Sequence, residues 1–230
     1  MGRKKFPYKA NVVFLMAYFV CSMALFWNSP KNVGYGFGLA VMLVWNCFLA
    51  FLPSLFSRHA VSCREAGRRS WLLWAVLWLV FWPNTFYIVT DVAHFTGNTF
   101  LREIPYQGTI YAENLGLWAK GAMIAAAILY GALNGIVSEL LLESRVVSAA
   151  NRGKSLLFRA ACSLLGGTGI YLGRFLRLNS WDVLQPPKII ARLQTVGQDG
   201  NFLPGFIGIY AFFIFAALSF AKPLSKEISK

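Results

Sequence analysis

Six long apolar stretches, at residues 11–27, 33–55, 71–90, 115–137, 156–176 and 202–221, leave this chain few ways to fold. A helix needs about 20 mostly apolar residues to cross the hydrocarbon of a bilayer. The apolar residues come as continuous runs rather than as stripes of helical period, so each run is apolar all round, as lipid demands. With 57% hydrophobic and 13% charged residues and a mean hydropathy of +0.53, the expected fold is all-α. It is a polytopic integral membrane protein of about six transmembrane helices plus a short interfacial amphipathic helix. Nearly all of the 230 residues are used as span or connector. One transmembrane domain over 1–230 is expected, with no room for a soluble catalytic domain.

The net charge of +13 suggests nucleic acid only until its placement is read. Lysine and arginine accumulate in cytoplasmic loops of membrane proteins. With the N-terminus inside, fourteen of them fall in inner segments, among them Arg58, Arg64, Arg68 and Arg69. Five fall outside: Lys31, Arg102, Arg177, Lys188 and Arg192. Lys120, Arg159 and Arg174 lie in or at the ends of apolar spans and belong to neither group. Both termini are therefore expected in the cytoplasm, the partners are membrane lipids, and no nucleic acid is implied. The basic residues at 3–5 followed by an apolar run do not read as a cleaved signal, because the run is long and no small-residue cleavage site follows it. Cys21, Cys47, Cys63 and Cys162 form no close pair and support neither a disulfide framework nor a cysteine metal site. His59 and His94, the only histidines, fall on opposite sides of the membrane in this topology, which argues against a bis-histidine haem. No cofactor is expected.

The third span gains polar groups without losing its helical pattern. At about 100° per residue, Asn84, Tyr87, Asp91 and His94 fall within an arc of roughly 80°. Trp71, Trp74, Trp78 and Trp82 recur on the opposite face and read as packing or lipid-facing aromatics. Pro83 should kink the segment between its halves. In the fifth span Gly166, Gly169 and Gly173 share a face that Arg177 continues, so a close helix contact leads to a guanidinium. Beyond it Asn179 or Ser180 can cap a new helix whose N-terminus suits Asp182. Pro186 and Pro187 interrupt the chain, and residues 188–196 then form a short amphipathic helix.

Elsewhere the readings are plainer. Gly34, Gly36 and Gly38 lack the strand and Gly-Lys-Ser/Thr context of a phosphate loop. Pro53 marks the end of the second helix, and the basic connector 57–70 faces anionic lipid. The connector 95–114 either covers the mouth of a polar site or lies along the interface. Ala127, Gly131 and Gly135 pack the fourth helix tightly, and Glu139 and Glu143 are headgroup-region charges. No internal repeat of the transporter kind is present.

The third and fifth spans both run outward, which brings Asp91 and His94 to the same outer boundary as Arg174, Arg177 and Asp182. A carboxylate at this depth is costly unless paired, and arginine is its natural partner. Asp91 is therefore expected to contact Arg174 or Arg177, with Asn84 and Tyr87 donating hydrogen bonds below. The candidate polar cluster is Asn84, Tyr87, Asp91, His94, Arg174, Arg177, Asn179 and Asp182. Three readings of it stay open: a site binding or transporting a small anion or lipid headgroup, a buried ion-pair network that fixes helix register, and a membrane-embedded enzyme using His94 and Asp91. Asp91 and His94 have a spacing at which two metal ligands can share a helix face, but further ligands would have to come from Glu103, Glu113 or Asp182, and no metal site is expected.

Two stretches of this chain resemble the signatures of the bacterial domain of unknown function 1361 family. One carries Pro83, Asn84, Tyr87, Thr90 and Asp91; the other carries Gly173, Arg174, Arg177, Asn179, Ser180, Trp181 and Asp182. The similarity covers most of the chain from the second helix onward and is weaker in the outer loop and fourth helix, where Lys120 interrupts an apolar span. The resemblance implies a bacterial inner-membrane protein and supplies no activity.

Overall fold

A computed structural model describes residues 8–28, 34–95, 100–104, 106, 108–148, 151–194 and 201–228. The basic residues at 3–5, Lys31, Val196 and Lys230 lie outside them, as do the side chains of Arg102 and Glu103. The helices are α1 (Tyr8–Asn28), α2 (Phe37–Glu65), α3 (Trp71–Phe81), α4 (Asn84–Tyr87), α5 (Leu115–Leu142), α6 (Arg152–Arg174), α7 (Pro186–Leu193) and α8 (Phe202–Ile228). Short 3-10 segments cover Ile88–Phe95 and Ser180–Leu184, and α5 ends in a π-helical turn over Glu143–Ser148. Among the described residues, six helical segments are long and apolar enough to cross a membrane. The chain is an all-α, multi-pass integral membrane protein.

Three details depart from the sequence reading. First, α2 does not stop at Pro53 but runs through it to Glu65, so Arg58 and Arg64 stand on the helix and the connector shrinks to five residues. A proline ring removes one N–H and crowds one carbonyl, which membrane helices tolerate where neighbouring groups satisfy what is freed. What does end α2 is Gly67, in the left-handed conformation at φ 67°. Its N–H bonds the carbonyl of Arg64 at 3.0 Å, and that of Arg68 bonds Cys63 at 2.9 Å, the paired closure of a Schellman motif. Second, part of the connector after the third span folds as an antiparallel hairpin of β1 (Leu101–Ile104) and β2 (Gly108–Tyr111), with Leu101 opposite Tyr111. Third, Glu139 and Glu143 are not headgroup charges: they are 0% and 1% exposed.

Contacts sort the chain into two compact units, Met1–Phe48 with Asp91–Leu129, and Leu49–Thr90 with Tyr130–Lys230. In the first, Tyr18 donates to the Met123 carbonyl at 2.9 Å, and Ser22 lies 2.8 Å from the Tyr35 hydroxyl. Asn114 caps α5 by accepting from the N–H of Leu117 at 3.1 Å. Phe100 stacks edge-on against Phe95 and Trp118, which ties the hairpin to the start of α5.

The second unit is built around α3 and α4. Trp78 and Trp82 are 2% and 0% exposed, so the tryptophan stripe is packing. Their indole N–H groups donate to Ser138 Oγ at 3.1 Å and to the Gly135 carbonyl at 3.0 Å on α5. A buried indole needs such a partner. Close approach is possible because glycines meet the segment from two sides. A Cβ on Gly131 of α5 would stand 2.5 Å from the Thr85 carbonyl oxygen, and one on Gly173 of α6 2.8 Å from the Tyr87 ring. One on Gly169 would collide with the Pro83 ring. Dispersion and close backbone contact, rather than hydrophobicity, hold helices together in lipid.

Gly131→Ala should therefore destabilise the protein by about 1–3 kcal/mol through overpacking, against the roughly 1 kcal/mol that alanine gains over glycine in a helix. Gly208→Ala on α8, where a Cβ meets nothing within 4 Å, should be neutral or stabilising. Thermal unfolding of both variants in detergent checks this; equal behaviour of the two would show that the glycine contact carries no weight.

Candidate functional site

The polar stretch is not one continuous α-helix. α3 ends at Phe81, Trp82 and Pro83 form a turn, α4 makes a single turn, and the chain then tightens into the 3-10 segment from Ile88. A 3-10 helix has three residues per turn, so side chains three apart eclipse. Thr90 is therefore carried round beneath Tyr87, while Ile88, Asp91 and His94 line up on a neighbouring face. Tyr87 and Asp91, which share a face at 100° per residue, are turned apart by about 120° when the rise is three per turn.

On the Tyr87 and Thr90 side, within the second unit, sits Arg174 at the end of α6. Its Nε donates to Thr90 Oγ1 at 2.9 Å, and Nη2 donates to the same oxygen. The guanidinium carbon lies 4.7 Å from the centroid of the Tyr87 ring, within cation–π range. The Thr90 hydroxyl spends its single proton on the Tyr87 carbonyl at 2.7 Å, so its lone pairs are left for the arginine. The absent side chain of Gly173 gives the Tyr87 ring its place beside the guanidinium.

Asn84 links the two signature stretches a second time, donating to Ser180 Oγ at 2.7 Å and to the Phe81 carbonyl at 2.9 Å. After α6 the chain turns through Arg177, whose φ of 53° is left-handed, and the N–H of Leu178 reaches back to the Leu172 carbonyl at 3.1 Å. Asn179 then caps the 3-10 segment and Asp182 is its third residue. The Asp182 carboxylate accepts from the Asn179 backbone N–H at 2.8 Å and from Lys188 Nζ at 2.7 Å. These two donors, the backbone N–H first, hold the Asp182 carboxyl below its ordinary value of 3.8. Arg174 is half-buried; Arg177 is exposed.

Asp91 and His94 belong to the first unit. Asp91 is fully buried and accepts from Asn46 Nδ2 at 3.0 Å. Among the described residues, Nε2 of His94 is buried without a hydrogen-bond partner. No group of three or more His, Cys, Asp or Glu that could hold a metal ion occurs among the described residues. The expected ion pair between Asp91 and an arginine would join residues of different units; the contacts within each unit run to Asn46 for Asp91 and to Thr90 and Tyr87 for Arg174.

Sequence reading missed Asn46 and Lys188 as partners, and it missed Thr90 as the seat of Arg174. A lone amide in an apolar span is a signal for Asn46. The three-residue spacing of Tyr87 and Thr90 has meaning only once the 3-10 turn is known. A lowered carboxyl adds stability that is complete above its unfolded value and is lost as pH falls through its folded value. Asp182→Asn should thus cost several-fold amide protection over Ser180–Leu184 at neutral pH. Wild type and variant should converge well below pH 3.8. Hydrogen exchange, corrected for intrinsic rates, measures it; equal protection at neutral pH would deny the cap its role.

Residues 45–217 match the family described as protein of unknown function (DUF1361). No curated protein and no solved structure matches the chain. The match takes in all eight candidate site residues and spans well over half of the sequence, and on that ground the chain belongs to this family.

Proposed function

We propose that the end of α6 binds an anionic group, a small anion or a lipid headgroup, at the outer boundary of a bacterial inner membrane. The observation that carries the reading is Arg174. Its guanidinium is oriented by a threonine hydroxyl and an aromatic face rather than being immersed in the core. Planar donors fixed in this way suit a phosphate or carboxylate. Exposed Arg177 brings a second cation to the same end of α6, and the site so composed lies wholly within the second unit. The excess of lysine and arginine in the segments assigned inside supports an outer position for this end and cytoplasmic termini.

A second reading has its own support. Asn84 with Ser180, and Asp182 with Asn179 and Lys188, are satisfied pairs of the kind that fix helix register without binding anything. The two readings part at Arg177. A non-glycine residue in the left-handed region costs about 1–2 kcal/mol, so Arg177→Gly should raise thermal stability if the side chain only occupies a turn. Under the binding reading the same variant gains stability yet responds less to anionic lipid.

The test measures thermal stability of purified protein in detergent with added phosphatidylglycerol, phosphatidylcholine or inorganic phosphate. A ligand at about a hundred times its Kd adds about 2.7 kcal/mol to the folded state. Wild type should gain markedly more from phosphatidylglycerol than from phosphatidylcholine, and Arg174→Gln should erase the difference. An equal gain from phosphate identifies a free anion as the occupant. Equal responses to the two lipids, with none to phosphate, would overturn the binding reading.

A further inference from the structure

A second charged cluster sits near the other end of α6, about 22 Å along the helix from Arg174 at 1.5 Å per residue. It is built within the second unit from α5, its π-turn, α6 and α8. Glu143, 1% exposed, accepts from Ser155 Oγ and from Lys222 Nζ, and Lys222 also bonds Ser155. Arg159 Nε stands 3.6 Å from Glu143 Oε2, and Arg159 Nη1 donates to Ser219 at 3.0 Å. One carboxylate is thus served by two cations.

Glu139, one helical turn before Glu143, is treated differently. It is 0% exposed, and neither of its carboxyl oxygens has a hydrogen-bond partner. The groups that act on it electrostatically are Glu143, Arg159 and Lys222, and Glu139 in turn acts on the buried thiol of Cys162. An ionised carboxylate without donors is the most costly arrangement a buried acid can take, and such a group neutralises itself instead. The neighbouring charges do not forbid ionisation, however. Among the charged groups that act on Glu139, Glu143 is one anion against the two cations Arg159 and Lys222, and an ionised Glu139 would be a second anion beside them. Arg159 Nε, moreover, is a donor lacking a hydrogen bond.

We propose that Glu139 is a proton-binding site within the membrane-spanning part of the protein, whose loading is exchanged against Arg159. In the state described here Glu139 carries the proton as a neutral acid and Arg159 sits by Glu143. On release, the proton passes to water and the side chain of Arg159 turns to donate to the new carboxylate. The inference uses none of the residues of the anion site. It assigns a protonation change to the end of α6 where Lys222 of α8 is anchored.

Infrared spectroscopy of the protein in lipid nanodiscs, titrated through pH, tests it. Wild type at neutral pH should show a carboxylic C=O stretch typical of an acid in dry surroundings, which fades as pH is raised. Carbon-13 labelling of glutamate should shift that band. Glu139→Gln should remove it, whereas in Glu143→Gln, which frees two cations to act on Glu139, a glutamate band should remain at acid pH and fade at lower pH than in wild type. Arg159→Gln removes the charge that answers ionisation, so the band should persist to higher pH by at least about one unit, a tenfold gain in proton affinity. If Glu139→Gln does not fold, the labelled wild type and Arg159→Gln carry the test. The proposal is overturned if labelled wild type shows no such band from acid to neutral pH, or if the band survives Glu139→Gln. An unchanged midpoint in Arg159→Gln overturns the exchange.

Discussion

The second unit depends on backbone surfaces meeting without side chains between them. Lipid offers a helix no hydrophobic reason to leave it, so association rests on contact area and on polar groups that find partners across helices. Gly131 and Gly135 open one side of the α3–α4 junction, and Gly169 and Gly173 open another. The junction can then lie close enough for Trp82 to donate to the Gly135 carbonyl and for the Tyr87 ring to sit against α6. These glycines set the depth at which aromatic and polar groups enter the site; alanine at Gly173 would move the ring on which Arg174 rests.

Pro83 supplies the second constraint. It lacks a backbone N–H and cannot continue the ladder of α3. The chain resumes as one α-turn and then a 3-10 segment, whose tighter period decides which residues keep company. Thr90 is turned toward Arg174 because it follows Tyr87 by three. Asp91 is turned with Ile88 and His94 and is met by Asn46.

Much of the fold was legible because length and hydropathy decide it: six runs of apolar residues became six spans. The glycine faces were legible too, since residues three and four apart on a helix are neighbours whatever surrounds them. Two kinds of feature were not. One was local geometry that departs from the average period, as at Ile88–Phe95, and the passage of α2 through Pro53, where surroundings overrode a stop signal. The other was burial of charge near a helix end. Glu143 read as a headgroup residue because it stands just beyond the fourth apolar run, 115–137. Its actual partner, Lys222, lies 79 residues away, and only the packing of α8 on α6 brings it there.

α8 packs along α6 toward both of its ends, yet it brings different groups to each. Along the later part of α6, Ile207 O would stand 2.6 Å from a Cβ on Gly167, and Phe206 packs edge-on against Tyr171; near the start of α6, Ser219 and Lys222 of α8 reach Arg159 and Glu143. Charges held there have lost their water and must satisfy one another, which makes the number of protons in the cluster a structural variable. At the far end, beyond Gly173, the chain leaves α6 through exposed Arg177 and the capped turn to α7. Arg174 there donates to a neutral hydroxyl and lies over a ring face. One helix thus carries Arg159 beside a buried carboxylate at one end and Arg174 on a hydroxyl and a ring face at the other, and the difference lies in what α8 brings to each: Ser219 and Lys222 near the start, Phe202 and Phe206 near the end.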